Sequence, residues 1–191
     1  MARTKEFDPD AVLQKALELF RERGYEGTSM SDLVERLGIA RASIYGTFGS
    51  KRDLYLKALD RYLEQGDLIE RLSQPGPVLP AVRGVFEAYV EECLADELRR
   101  GCLVVNTAIE LAPRDPGLAR RVVASWDALE TALTSALIRA RAQGEIAADA
   151  DPRGLARMLL MLLQGLRVLG RADPDPVRLR GAVDQAMATL R

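Results

Sequence analysis

Few side chains in this chain could do chemistry, and none of its 191 residues is a histidine. Imidazole acid–base catalysis, Ser–His and Cys–His nucleophiles and His-ligated metals are excluded at once. The two cysteines, Cys93 and Cys102, make neither a disulfide framework nor a zinc pattern. Glu110, Tyr89 and Cys102 remain as the only players for a small helical enzyme, with no metal motif or phosphate-cradling loop beside them. No cofactor and no metal is expected. Between Gly24 and Lys51, however, small, hydroxyl-bearing and basic residues gather: Ser29, Ser31, Arg41, Ala42, Ser43, Tyr45, Gly46, Thr47 and Lys51. Hydroxyls, cations and free amides at helix starts suit phosphate oxygens and base edges.

Helices must position these groups. Aromatic residues make up only 5% of the chain, against 48% hydrophobic and 29% charged, and Leu, Ala, Arg and Glu dominate. Asp-Pro recurs at 8–9, 115–116, 151–152 and 175–176, pairing an N-cap acceptor with a residue that loses no hydrogen bond at the first helical position. Each pair precedes helical periodicity, as in Leu13, Ala16, Leu17 and Phe20 before Gly24. Leu118, Val122, Trp126, Leu129, Leu133, Leu137 and Ala140 form a longer stripe that runs to Gly144. Short helices are expected over 31–37 and 42–48, and a long one from Ser50 to about Leu72, started by Ser50 with Asp53. Ser73–Pro80 reads as a linker, followed by helices at about 81–98 and 103–111. No sustained alternation marks a strand. The expected fold is all-α, with about nine helices.

The two short helices around Gly38 have the plan of a helix-turn-helix, with Leu33, Val34, Leu37, Ile39, Ile44 and Phe48 as its small core. Spacing alone leaves a merely structural helical hairpin as the alternative. The residues add detail: Phe20–Gly24, Thr28–Leu33, Leu37–Arg41 and Ile44–Leu54, read together, resemble the DNA-binding domain of the TetR/AcrR family of bacterial repressors from about Phe7 to Leu63. The resemblance implies phosphate contacts from Ser29, Tyr45 and Lys51. It also implies that Arg41, Ala42, Ser43, Gly46 and Thr47 face bases or backbone, and that Ser31 stands where some members carry a groove-reading Arg. The expected division is a DNA-binding unit over 1–57 and a ligand-binding and dimerisation unit over 58–191. Arg3 and Lys5 form a short basic arm that either follows the DNA or stays solvated.

The whole chain carries a formal charge of −1, so no global basic field announces nucleic acid. By segment the net charge is +1 over 1–57, −6 over 58–98 and +4 over 99–191, which confines any DNA-facing surface to the N-terminal end. The start lacks the apolar core of a signal peptide, and the longest apolar run, 158–163, is far short of the ~20 residues that cross a bilayer. A cytoplasmic chain is expected.

One short recognition helix on one half-site gives little specificity, so a homodimer on double-stranded operator DNA is expected. Residues 151–170 are apolar nearly all round, and with the last helix they are the expected dimer interface: Leu155, Leu159, Leu162, Leu163, Leu166, Val183, Met187 and Leu190. A helix buried inside a monomer core is the alternative. The resemblance implies a small-molecule effector, and its expected lining is Phe86, Tyr89, Cys93, Cys102, Asn106, Glu110 and Trp126. Sensing of oxidants or electrophiles through Cys102, with Arg99 and Arg100 nearby, is the runner-up to ligand release.

Overall fold

The computed structural model describes residues 7–190, so the basic arm at Arg3 and Lys5 lies outside the described residues. Ten helical segments and no strand are found among them. They are α1 (Pro9–Arg23), α2 (Met30–Leu37), α3 (Arg41–Phe48), α4 (Lys51–Glu64), α5 (Leu68–Ser73), α6 (Val78–Ala95), α7 (Leu103–Glu110), α8 (Pro116–Ala142), α9 (Pro152–Ala172) and α10 (Pro176–Thr189). All four Asp-Pro pairs start helices. Asp8, Asp115, Asp151 and Asp175 each accept a hydrogen bond from a first-turn amide, and the proline occupies the first position behind them. Ser29 and Ser50 cap α2 and α4, answered by Asp32 and Asp53, whose carboxylates accept from the capping residue's amide.

The helix expected over 50–72 is broken. Gly66 and Asp67 are poor helix formers, and a tight turn there, Gly66 N–H to Leu63 O at 3.3 Å, separates α4 from α5. Packing explains the break. Leu59 belongs to the apolar core around α1–α4, whereas Leu72 belongs to the other core, around α6, α8, α9 and α10. The expected linker is shorter than the prolines suggest, because α6 starts at Val78 and carries Pro80 in its first turn, where a missing amide costs nothing. The Glu145 carboxylate caps that helix from the far end of α8, accepting from Val78 N at 2.7 Å and Leu79 N at 2.8 Å. At its other end α6 stops at Ala95, three residues before the expected Leu98. There Asp96 takes the Arg100 amide at 2.8 Å, and Arg99 adopts a left-handed φ of 49°.

The two cores are not cleanly separate. Leu103, Val104, Val105, Leu111, Leu118 and Val122, from α7 and its junction with α8, are buried with α1–α4, while Trp126 touches both cores. Leu133 sits at the centre of the larger core with 1% exposure. Leu133→Ala is expected to cost about 2–5 kcal/mol by the transfer and cavity terms, read by urea unfolding at fixed protein concentration. A loss below about 1 kcal/mol would mean that this core is loosely packed.

Candidate nucleic-acid interface and its seat

Helices α2 and α3 lean on each other through Leu33, Leu37, Ile44 and Phe48, all buried. Gly38 makes the turn between them in the left-handed region, at φ 69°, where a side chain would be strained. Arg41, Ala42, Tyr45 and Gly46 are consequently exposed on the outer side of α3, with Ser43 and Thr47 half-buried at its edges. Ala40 supplies no side-chain cap to α3, so the first amides of this helix are open to an anionic oxygen. Arg41 reaches Tyr45, Nη2 to Oη at 3.4 Å with the guanidinium 5.7 Å from the ring centroid, which orients both groups outward together.

Ser29 and Ser31 are exposed at the start of α2. The Ser29 hydroxyl is already engaged: it donates to Asp32 Oδ2 at 2.6 Å and accepts from the Asp32 amide at 3.1 Å. A phosphate there must compete with a carboxylate that the Ser29 hydroxyl and amide hold below its ordinary range. Ser29 therefore builds the helix before it meets any ligand. Lys51 is half-buried, its ammonium 4.2 Å from the Tyr25 ring centroid, and burial pulls its pKa below the usual lysine value.

The Tyr25 ring belongs to an aromatic cluster. Tyr25 meets Tyr55 edge-on at 5.1 Å, and Tyr55 meets Phe20 edge-on at 4.9 Å. The Tyr55 hydroxyl lies 2.9 Å from Thr107 Oγ1, in the interior. Because the Thr107 hydroxyl spends its proton on Leu103 O at 2.7 Å, Tyr55 must be the donor. Two residues from the start of the α1–α2 loop, the Tyr25 and Glu26 amides donate to Glu110 Oε2 at 2.9 and 3.3 Å. Gly24 carries a positive φ of 76°, and a Cβ there would fall on the Glu110 carboxylate. Arg52 adds an outer tie, forking onto Asp115 Oδ2 at 2.9 and 2.7 Å. Helix α7 is thus the seat of the helix-turn-helix.

This placement changes the reading of several residues. Glu110 does not line a pocket, because its carboxylate is committed to the α1–α2 loop. Asn106 is buried and takes the Arg171 guanidinium on its Oδ1. Phe86 is a core residue of α6. Cys102 is 2% exposed, and burial pushes the Cys93 thiol up beside Tyr89. Of the seven expected lining residues, Tyr89 and Trp126 do face a cleft of about 410 Å³ between α1, α4, α5, α6 and α8. The residues the sequence reading missed there are Arg21, Tyr62 and Arg167. An arginine interrupting the leucine run of α9 was the available signal.

The expected interface residues need the same correction. Leu159, Leu163, Leu166, Val183, Met187 and Leu190 are buried inside this chain's own core, so they have no surface to offer a partner. Leu155 and Leu162 are half-buried at its border. The outer side of α9 carries a different stripe, Gly154, Met158, Met161, Gly165, Val168 and Ala172, spaced alternately four and three apart. Met161 is 67% exposed, Val168 46%, and Val177 on α10 80%. The helix is apolar on two sides because only one side is used within the chain.

Glu110→Ala is expected to cost about 1–3 kcal/mol in urea unfolding, since it strands the part-buried Tyr25 amide and leaves the exposed Glu26 amide to water. Glu110→Gln should cost less, because it keeps an acceptor. If Glu110→Ala costs no more than the exposed control Glu35→Ala, the carboxylate is not a structural tie.

Residues 12–58 match the family model of bacterial regulatory proteins of the tetR family, and residues 78–186 match that of the tetracyclin repressor-like C-terminal domain. Over the full length of both chains, this one is 42% identical to an uncharacterized HTH-type transcriptional regulator of Bacillus subtilis strain 168, YezE. It is 31% identical over 172 residues to the HTH-type transcriptional repressor ComR of Escherichia coli K12, covering 88% of this chain and 82% of that one. Among solved structures, a cysteine mutant of the TetR family regulator CifR complexed with 26-bp operator DNA superposes with a TM-score of 0.88. It is 31% identical and covers 99% of this chain and 100% of that one. With both halves of the molecule matched and the helix-turn-helix in place, the chain belongs to the tetR family of bacterial transcriptional regulators.

Proposed function

We propose that this chain is a non-catalytic repressor that binds a palindromic operator as a homodimer in the cytoplasm and is released by a small molecule. The observation that carries the reading is the outer face of α3, where Arg41, Ala42, Tyr45 and Gly46 stand exposed around an uncapped helix start. Small residues let such a helix enter the major groove, while Arg41, Tyr45 and Lys51 reach phosphates and base edges at its rim. Ser31, Ser43 and Thr47 flank it with hydroxyls, and Ser29 holds α2 in place. Residues 1–57 are the DNA-binding unit and residues 58–191 the effector and dimer unit. Operator DNA in the CifR structure and the repressor role in ComR's name support this assignment.

The dimer is proposed to form through the outer stripe of α9 with Val177, Gly181 and Ala188 of α10. Glycines within this stripe allow close helix approach, and its four–three spacing suits a bundle across a two-fold axis. Thiol sensing at Cys102 has less support than ligand release, because a thiol that is 2% exposed offers an oxidant little access. No helix among the described residues is long and apolar enough to cross a membrane.

Footprinting on the DNA flanking the chain's own gene tests the reading, with half-sites expected about 34–36 Å apart. Absence of a specific site there and in genome-wide fragment selection would overturn it. Lys51→Ala is expected to weaken binding on every sequence and to reduce the salt slope by about one unit; an unchanged slope removes Lys51 from the interface. Met161→Glu with Val168→Glu should give monomers by light scattering, and persistent dimers would place the interface elsewhere.

A further inference from the structure

The cleft of about 410 Å³ has a distinctive charge pattern. Four arginines and the carboxylates Glu18, Asp67 and Glu92 line it, and three of the arginines have a carboxylate of their own. Glu18, on the α1 side, takes a long hydrogen bond from Gln14 Nε2 at 3.4 Å. Arg21 pairs with Glu92 at 3.0 Å, Arg71 with Asp67 at 3.9 Å, and Arg100 with Asp96 at 3.0 Å. The fourth, Arg167 of α9, has no carboxylate within ion-pair distance among the described residues. Its one hydrogen bond is a long one, Nη1 to Gln164 Oε1 at 3.4 Å, and its Nε–H is shut off from solvent without an acceptor.

Glu92 acts on Arg167 only from beyond ion-pair distance and is already paired with Arg21. The Arg167 guanidinium lies 5.4 Å from the Tyr89 ring centroid, and burial pushes the Tyr89 and Tyr62 phenols far above their ordinary range, so both are neutral at physiological pH. Arg167 is half-buried, so its charge is partly withdrawn from water without a counter-ion of its own, which favours an anion beside it. Trp126 of α8 also lines the cleft, with its indole N–H shut off from solvent and without an acceptor. Leu17, Val85, Val104 and Leu129 supply apolar wall between these donors. One cation without an ion-pair partner and an apolar lining define the complementary molecule.

We infer that this cleft binds a small organic monoanion, a carboxylate on an apolar or aromatic body, with its charge on Arg167. The assignment rests on the effector-released reading above and names the chemistry of that effector. Its position also supplies the coupling. Gln14, Leu17 and Arg21 of α1 and Tyr62 of α4 form one wall, and α6, α8 and α9 form the other. An occupant therefore touches the DNA-reading unit and the effector unit at once, next to the Arg21–Glu92 tie between them. Any preference for one spacing of these walls over the other becomes a change in operator affinity.

Trp126 is the chain's one tryptophan, so its fluorescence reports occupancy. Benzoate and hexanoate, their amides benzamide and hexanamide, and inorganic phosphate are titrated into the full chain. At least one carboxylate should give a saturable change, with its amide at least about tenfold weaker, the difference a charged hydrogen bond makes. Phosphate, lacking an apolar body, should bind more weakly still. Arg167→Gln should abolish the preference for carboxylate over amide, and Arg167→Lys should restore part of it. Should Arg167→Gln fail to fold by circular dichroism, the carboxylate–amide comparison on the unmodified chain still decides. Equal binding of amide and carboxylate, equal binding of phosphate, or no saturable signal up to about 10 mM would overturn the assignment. Gel shifts separate the two levels. Carboxylate binding without loss of operator affinity contradicts the effector reading and leaves the site standing. Operator release by hexanamide without a carboxylate response does the reverse.

Discussion

The placement of the helix-turn-helix on the rest of the chain depends on how α7 holds it. The seat has three layers of unequal strength. Innermost are Leu103, Val104 and Val105, buried against α1 and α4, where each large apolar side chain is worth about 1.5–3 kcal/mol on burial. Next are the Tyr55–Thr107 hydrogen bond and the Glu110 carboxylate on the Tyr25 and Glu26 amides. The polar partners cannot be removed singly without stranding the other. Outermost is Arg52 on Asp115, an exposed pair of the kind that contributes about 0–1 kcal/mol. The apolar layer supplies the adhesion, and the polar layer fixes the orientation.

That order has a functional consequence. The α1–α2 loop, whose amides Glu110 holds, leads directly into the capped start of α2, and the Tyr25 ring of the same loop carries the Lys51 ammonium. A displacement of α7 is thus passed to both ends of the DNA-facing surface through backbone and ring contacts. The cleft is lined by Leu17 of α1 and Val104 of α7, so the seat and any occupant share these side chains. Trp126 touches both cores and lines that cleft. Arg21 crosses the boundary two ways, donating to Gly101 O at 3.0 Å and pairing with Glu92, while it lies over the Tyr62 ring on its own side.

Much of this was legible in the sequence, for physical reasons that differ by element. The Asp-Pro starts, the Ser50 cap and the Gly38 turn are local chemistry, decided within four residues, and each stands where the sequence predicts it. The break at Gly66 was missed because it answers a tertiary demand, the passage of the chain from one core to the other. Glu110 was read as pocket lining because Asn106 and Glu110 share a helical spacing, yet their partners, the Tyr25 amide and Arg171, are 85 and 65 residues away. Periodicity leaves the α9 residues undecided between interface and core for a related reason. A helix apolar all round announces two buried sides, but periodicity cannot say which side faces its own chain. Arg167 was invisible as a site because its meaning lies in lacking a partner, which only three-dimensional packing reveals.

The central claim is that the DNA-reading unit is held as part of the body that α7 belongs to. Native-state hydrogen exchange in rising urea, read at the amides of α1, α4 and α7, tests it most directly. If the seat governs, the buried amides of α1 and α4 exchange through the same opening as those of α7, with one free energy and one urea dependence. If α1–α4 open as a separate unit at markedly lower free energy while α7 stays protected, the two units are merely adjacent and the account is wrong.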